Sequence, residues 1–304
     1  MQTKTIQKNI SEKLKDWLKT ISDKGLASDL EKNILVSGGS IASMYLGEPV
    51  NDYDVYINNM DVLLRLTEYY TKDFNGINIL DGRRKKEYEL QLEKDYDQKI
   101  EDINNSFSIC VRNLKEDQIK LFFPTEKGGK KVNEDKPKEE MNYSPLFFSP
   151  NAISLSNDIQ IVIRFHGDNE AIHKTFDFIH ATNYFTFKDG LVTNKQALEC
   201  LLTKQLKYQG SLYPLTSIIR MKKFIKRGWN INAGEILKIM FQISELNLKN
   251  PDVLEEQLIG VDVAYFGKLI EVLRGIEDLE YKMTSHYLNT IIDKVFNEYE
   301  DSLD

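Results

Sequence analysis

The chain is poor in the residues that staple small or secreted folds together. Its 304 residues include two cysteines, Cys110 and Cys200, and four histidines, with no CxxC and no Cys/His cluster. Neither a disulfide framework nor a structural zinc site is expected from that inventory. No run of 18 apolar residues occurs, so no membrane-spanning helix is expected. Lys4 and Lys8 near the start are not followed by an apolar stretch, so no signal peptide is read there. A basic excess is missing as well. Lys+Arg is 40 against Asp+Glu 47, a net charge of −7. That balance disfavours nucleic-acid contact over most of the surface, though it leaves room for a local basic groove. The expectation is a soluble, acidic protein of the reducing cytoplasm, with both thiols as small packing residues.

What is present suffices for a core. Hydrophobic residues make up 41% and charged residues 29%, and the length suggests about two domains. Ile6, Ile10, Leu14, Trp17, Leu18 and Ile21 recur at spacings of three and four, which predicts an amphipathic helix ending by Gly25. A short helix over 26–32 leads to a buried strand at Ile34-Leu35-Val36. Ser37-Gly38-Gly39-Ser40 breaks that strand. A helix over 41–46 stops at Gly47, an alternating strand runs from Asp52 to Ile57, and a helix covers 62–70. The segment 81–140 differs in composition: 14 of the 22 residues from 81 to 102 are charged. It reads as an insertion of a charged helix, a hairpin (106–111 with 119–123) and a loop. Arg83-Arg84-Lys85-Lys86 within it is a minor candidate for RNA-backbone contact. Strands follow at 152–155 and 159–165, then a short helix over 168–175 and a hairpin over 184–193 turning at Asp189-Gly190. From Lys195 the pattern is helical, with helices expected over 252–275 and 284–301. The organisation expected is a head over 1–194 and a helical neck and tail over 195–304.

The sharpest constellation lies between Val36 and Ile57. Gly38 and Gly39, between a strand and a helix start, permit close backbone approach of a ligand. Free N–H groups there, with the Ser40 hydroxyl, suit phosphate oxygens. Asp52 and Asp54 sit two apart on the next strand and share one face. Two adjacent carboxylates repel unless a cation intervenes, and hard oxygen ligands suit Mg²⁺ or Mn²⁺. A phosphate cradle beside a metal-binding pair is equipment for nucleotidyl transfer.

These residues resemble the DNA polymerase β-like nucleotidyltransferase superfamily, and within it the branch of CCA-adding enzymes and bacterial poly(A) polymerases. The branch pattern GGxVRDxLLGxxxxDxD is similar at Gly38, Gly39, Leu46, Gly47, Asp52 and Asp54; Ala42-Ser43 stands where it has Arg-Asp. The branch's RRDFTINA resembles residues 175–182 at Asp177 and Phe178. Its ILRAxRF resembles 218–224, while its EDxxR has no counterpart at 213–217. The wording of 51–57 and 176–185 also looks like nucleotidyltransferase-like proteins of tailed phages.

The resemblance implies an α+β fold, a mixed-sheet head followed by an all-helical neck and tail. It implies Asp52 and Asp54 as metal ligands, Gly38, Gly39 and Ser40 on the phosphates, and Asp177 near the nucleotide sugar. His180, Asn183, Arg220 and Lys223 are further nucleotide-binding candidates. Asp158 and Asp177 are the candidates for a third carboxylate. Arg220, Lys222, Lys223, Lys226 and Arg227 form a candidate basic strip, and Tyr208, Tyr213 and Trp229 are candidates for stacking a base. The activity expected is transfer of a nucleoside monophosphate from an NTP to a hydroxyl, with an RNA or tRNA-like 3′ end as the leading acceptor. A non-catalytic phage structural or host-binding relative, and an enzyme that nucleotidylates protein or a small molecule, are the alternatives. A protein partner is allowed through the C-terminal helices.

Overall fold

The structure is a computed structural model that describes residues 2–94, 108–123, 129–136, 141–248, 250–257 and 290. The chain divides into two compact units. The first comprises Met1–Lys174 with His180–Leu201; the second comprises Thr175–Ile179 with Leu202–Asp304. The later boundary thus falls inside the helix that begins at Lys195, between Leu201 and Leu202, and the five residues Thr175–Ile179 belong to the second unit.

The first unit opens with α1 (Thr3–Thr20), whose Ile6, Ile10, Leu14 and Trp17 are fully buried. Its end is set by an extended Ile21, and Asp23 caps α2 (Lys24–Asn33) by accepting from the Leu26 N–H. Gly25 therefore lies inside the first turn of α2 and does not terminate α1; a side-chain cap outranks a tolerated glycine. Then come β1 (Ile34–Ser37), α3 (Gly39–Leu46), β2 (Tyr53–Ile57) and α4 (Met60–Thr71). The order matches the alternation of buried runs and turn residues in the sequence.

Beyond α4, β3 (Asn78–Asp81) leads through a 3-10 turn into α5 (Lys85–Lys94). The expected strand at 106–111 is instead a short helix, α6, over 108–112 among the described residues. Val111 in that helix and Leu114 just past its end, whose N–H donates to the Val111 carbonyl, join Leu80 and Phe122 in a small satellite core. β4 (Ile119–Phe122) pairs antiparallel with β3. Arg83 and Arg84 both bond the buried Asp81, with Asp61 and Glu68 nearby. Both arginines are thus tied to the buried Asp81 while their side chains stay about 40% exposed.

The remaining strands are β5 (Lys130–Lys131), β6 (Pro145–Phe148), β7 (Ala152–Leu155), β8 (Ile159–His166), β9 (Tyr184–Thr186) and β10 (Gly190–Val192), with α7 (Asn169–His173) between β8 and β9. They form a mixed eight-stranded sheet in the order β10-β9-β1-β2-β8-β7-β6-β5. Only β2 and β8 run parallel among its pairs. One sheet face, with Ile34, Val36, Val55, Ile57, Ile159, Ile161 and Phe185, joins α1, α2 and α4 in the main core. Alternation then sends Ser37, Asp54 and Gln160 to the other face. α8 (Lys195–Thr203) carries the unit to its end at Leu201; Cys200 in it is buried, Cys110 is half-buried, and neither is in a disulfide.

The second unit holds α9 (Pro214–Lys226), α10 (Ala233–Ser244) and α11 (Pro251–Gln257). It is not purely helical: β11 (Gln205–Leu206) and β12 (Asn230–Ile231) make a two-residue parallel pair. Phe178, Tyr208, Phe224 and Trp229 pack edge to face. The rest of the helices expected over 252–275 and 284–301 lies outside the described residues, apart from 290.

Candidate functional site

The site is built where β1 ends. Gly38 has φ 99° and ψ −148°, a region essentially closed to residues with a side chain. That conformation turns the chain from β1 into α3. The Gly38 N–H donates to the Ala181 carbonyl at 3.1 Å. A Cβ on Gly38 would come 3.1 Å from Asp54 Oδ2, so the turn and the carboxylate of β2 face one another. At Gly39, by contrast, an added Cβ would meet nothing within 4 Å. Open space therefore lies over the first turn of α3, which no side chain caps. Ser40 follows, 3% exposed, and its hydroxyl has no hydrogen-bond partner.

Register explains the meeting of turn and carboxylates. Leu35 pairs with Tyr56 and Val36 with Val55, so the next step sets Ser37 level with Asp54. On its other side Ser37 pairs with Tyr184, while Asp54 pairs with Gln160 and Gln160 with Ser154. The result is a transverse row, Tyr184–Ser37–Asp54–Gln160–Ser154, across the face opposite the core. Asp52 stands just before β2 and, like Asp54, is half-buried. Burial, and then the charge of Asp158, push the Asp52 carboxyl above its ordinary value.

Asp158 is the acid that Asp52 feels, at the start of β8, where its carbonyl accepts from the Tyr53 N–H and its carboxylate pairs with Lys13 at 3.5 Å. Where a third acid on β8 would face Asp54, the residue is Gln160. Among the described residues no group of three or more His, Cys, Asp or Glu could hold a metal ion. Asp52 and Asp54 are nevertheless oxygen donors of the kind that Mg²⁺ takes. It commonly binds through one or two carboxylates plus substrate phosphates and water, and a carboxylate pushed up by burial and a like charge is one that a cation relieves.

Asp177, Arg220 and Lys223 belong to the second unit. Asp177 is 4% exposed, and both its oxygens are engaged: Oδ1 accepts from Ser211 Oγ at 2.7 Å and Oδ2 pairs with Arg220 at 2.6 Å. Its backbone carbonyl accepts from the Gln209 N–H. This is a tie within the unit, and it takes Arg220 out of the basic strip; Lys222, Lys223, Lys226 and Arg227 are exposed. Tyr208 and Trp229 are buried and packed, so they offer no stacking face. His180 and Asp177 do not share a helix face: Ile179–Ala181 is a single 3-10 turn, and the two residues fall in different units.

His180 and Asn183 are in the first unit and buried. Asn183 Oδ1 accepts from the Asn194 N–H, its carbonyl accepts from Ser37 Oγ at 2.8 Å, and its Nδ2 is buried with no hydrogen-bond partner. Two further residues meet here: Ser37, and His173, which as a loop histidine was expected at the surface and is half-buried. Ser37 is fully buried and its Oγ lies 2.9 Å from His173 Nε2. The only sequence signal for Ser37 was its place before the glycine pair. For His173 there was none, since the contact spans 136 positions.

The fold defines a two-unit α+β protein whose first unit carries a strand–glycine turn–helix–strand arrangement and a D-x-D pair on a mixed sheet. Within that class the chain belongs to the Gabija anti-defense 2 family, whose model matches residues 8–204. It is 26% identical over 113 residues to Gabija anti-defense 2 of Bacillus phage SPbetaL7, a match spanning 36% of this chain and 28% of that relative's length. Solved structures similar to it include a Thermotoga maritima CCA-adding enzyme complexed with tRNA, at TM-score 0.38 and 13% identity over 95% of this chain and 68% of the other. A Bacillus stearothermophilus CCA-adding enzyme in complex with CTP gives 0.38 and 9%, covering 95% and 70%. At those scores the likeness does not extend to a site or an activity. No helix among the described residues is long and apolar enough to cross a membrane.

Proposed function

We propose that the chain is a metal-dependent nucleotidyltransferase that serves the family's anti-defense role. The observation that carries this reading is the approach of the Gly38 turn to Asp54 Oδ2, with open space over Gly39. In this reading the N–H groups of the α3 first turn bind the β- and γ-phosphates. Asp52 and Asp54 hold a divalent cation. Held there, such an ion would supply charge neutralisation on the triphosphate and activation of the attacking hydroxyl. The hydroxyl oxygen forms a bond to the α-phosphorus, the α–β bridging bond breaks, and pyrophosphate leaves with the electron pair. The hydroxyl proton passes to solvent. Asp177 acts as a structural tie and not as a ligand of the reacting groups.

The acceptor remains a hydroxyl, with an RNA 3′ end as one class. Membership of an anti-defense family favours a component of the host's defence machinery, nucleic acid or protein, over routine tRNA maturation. Gln160 at the third-acid position supports a second reading, in which the site binds an NTP without turning it over. Incubation with each α-³²P NTP and Mg²⁺, against tRNA, total RNA and cell protein, tests both. Label transferred by the wild type and lost in Asp52→Ala/Asp54→Ala is the expected outcome. Label retained in that double variant sinks the assignment. Saturable NTP binding with no label in any fraction favours the binding protein.

A further inference from the structure

We propose that His173 is the positioning residue for the Gly38–Gly39 turn, acting through the Ser37 hydroxyl. The inference rests on the reading of that turn as a nucleotide cradle. Ser37 Oγ sits among three partners: the Asn183 carbonyl at 2.8 Å, the Ala181 carbonyl at 3.2 Å and His173 Nε2 at 2.9 Å. Carbonyl oxygens only accept, so the single hydroxyl proton goes to them. With the hydroxyl proton so directed, the Ser37 lone pair accepts from His173 in its Nε2–H form, the tautomer this proposal assigns. Burial holds this imidazole neutral, with its pKa pushed down to about 4. The ring is held in turn by an edge contact with Tyr184, centroids 5.7 Å apart. Tyr184 is the residue paired with Ser37 across β9 and β1.

The consequence falls on the next residue. Ala181 accepts from both Ser37 Oγ and the Gly38 N–H. The hydroxyl and the strained glycine are thus tied to one carbonyl, and the direction of the hydroxyl is set from α7. Gly38 has no side chain of its own to define its dihedrals, and its conformation is costly. The His173–Ser37–Ala181 chain over-determines it from outside.

Two measurements test this. Hydrogen exchange over peptides containing residues 36–42 reads the turn directly. Equilibrium binding of a fluorescent Mg²⁺–NTP analogue reads the cradle. His173→Phe keeps the contact with Tyr184 and removes the donor. It should speed exchange at the turn and weaken the analogue about tenfold, the scale of one hydrogen bond. Ser37→Ala should do the same, and the double variant no more than either. His173→Gln restores an N–H donor and should return affinity to within about twofold of wild type. If His173→Phe loses thermal stability while turn exchange and affinity match wild type, His173 is merely a packing residue and the proposal is overturned. If His173→Phe does not fold, His173→Gln decides: wild-type exchange and affinity support the proposal, and a loosened turn overturns it. A wild-type chain that binds no nucleotide refutes the cradle reading, and the exchange result then still decides whether His173 sets the turn.

Discussion

At the scale of single residues, the two glycines of the turn separate cleanly. Gly38→Ala forces a side chain into φ 99° and 3.1 Å from Asp54 Oδ2. It should cost about 1–3 kcal/mol, seen as a lower thermal midpoint. Gly39→Ala meets no protein atom within 4 Å, so stability should hold within about 0.5 kcal/mol while affinity for Mg²⁺–NTP falls. Equal stability losses in both would show that the space over Gly39 is not a ligand site. Asp52 gives a prediction with a definite sign. Its carboxyl is raised above the ordinary value by burial and by Asp158. The unfolded chain therefore loses this proton first as pH rises, and folding stability falls between the unfolded and the folded pKa. Above that window the cost stays. Asp52→Asn should thus be more stable than wild type at neutral pH, with the difference vanishing in acid below the ordinary carboxylate value. Mg²⁺ should raise the wild-type midpoint at neutral pH and leave Asp52→Asn unmoved. Both aspartates and both glycines were legible in the sequence, because spacing along one strand and one turn is local information. Ser37 and His173 were not, because their meeting depends on α7 folding back over β1.

At the scale of elements, α1 and the β3–β4 ribbon do different work. α1 covers the core face of the sheet, and Trp17 Nε1–H donates to the buried Tyr70 hydroxyl at 2.7 Å. Trp17→Phe keeps most of the apolar volume and leaves that hydroxyl without its donor. A loss of about 1–3 kcal/mol in denaturant unfolding is expected. The period of α1 was readable because every third or fourth residue is apolar. The ribbon was harder. Burial pushes the Asp81 carboxyl up, and hydrogen bonds from Arg83 and Arg84 outweigh it, leaving it below its ordinary value. Asp81→Ala should release both arginines and loosen the ribbon locally. Amides of Ile119–Phe122 should exchange faster while those of β1 and β2 keep their protection; a uniform loss would mean that the ribbon and the main sheet unfold as one. Residues 106–111 looked like a strand because a short apolar run carries no decisive period. The packing of Val111 with Leu80, Leu114 and Phe122 goes with a helical turn instead.

At the scale of the whole molecule, the division into units cuts across the sequence order. Thr175–Ile179 belongs with Leu202–Asp304, although residues on both sides of it belong to the first unit. A fragment ending at Leu201 would carry Phe178 without Tyr208 and Phe224, and Asp177 without Arg220 and Ser211. It should aggregate more than the full chain in sedimentation, and Phe178→Ser with Asp177→Asn should restore its solubility. The sequence by itself determined the alternation of helix and strand from α1 to α4, the glycine turn and the D-x-D pair. Each of these follows from hydrophobic period, turn chemistry or spacing within a few residues. Only the tertiary structure decided that Asp177 and Arg220 spend their charges on one another, that Gln160 and not an acid stands beside Asp54, and that His173 reaches Ser37. Those facts depend on strand register and on chain segments far apart in sequence, which no local pattern encodes.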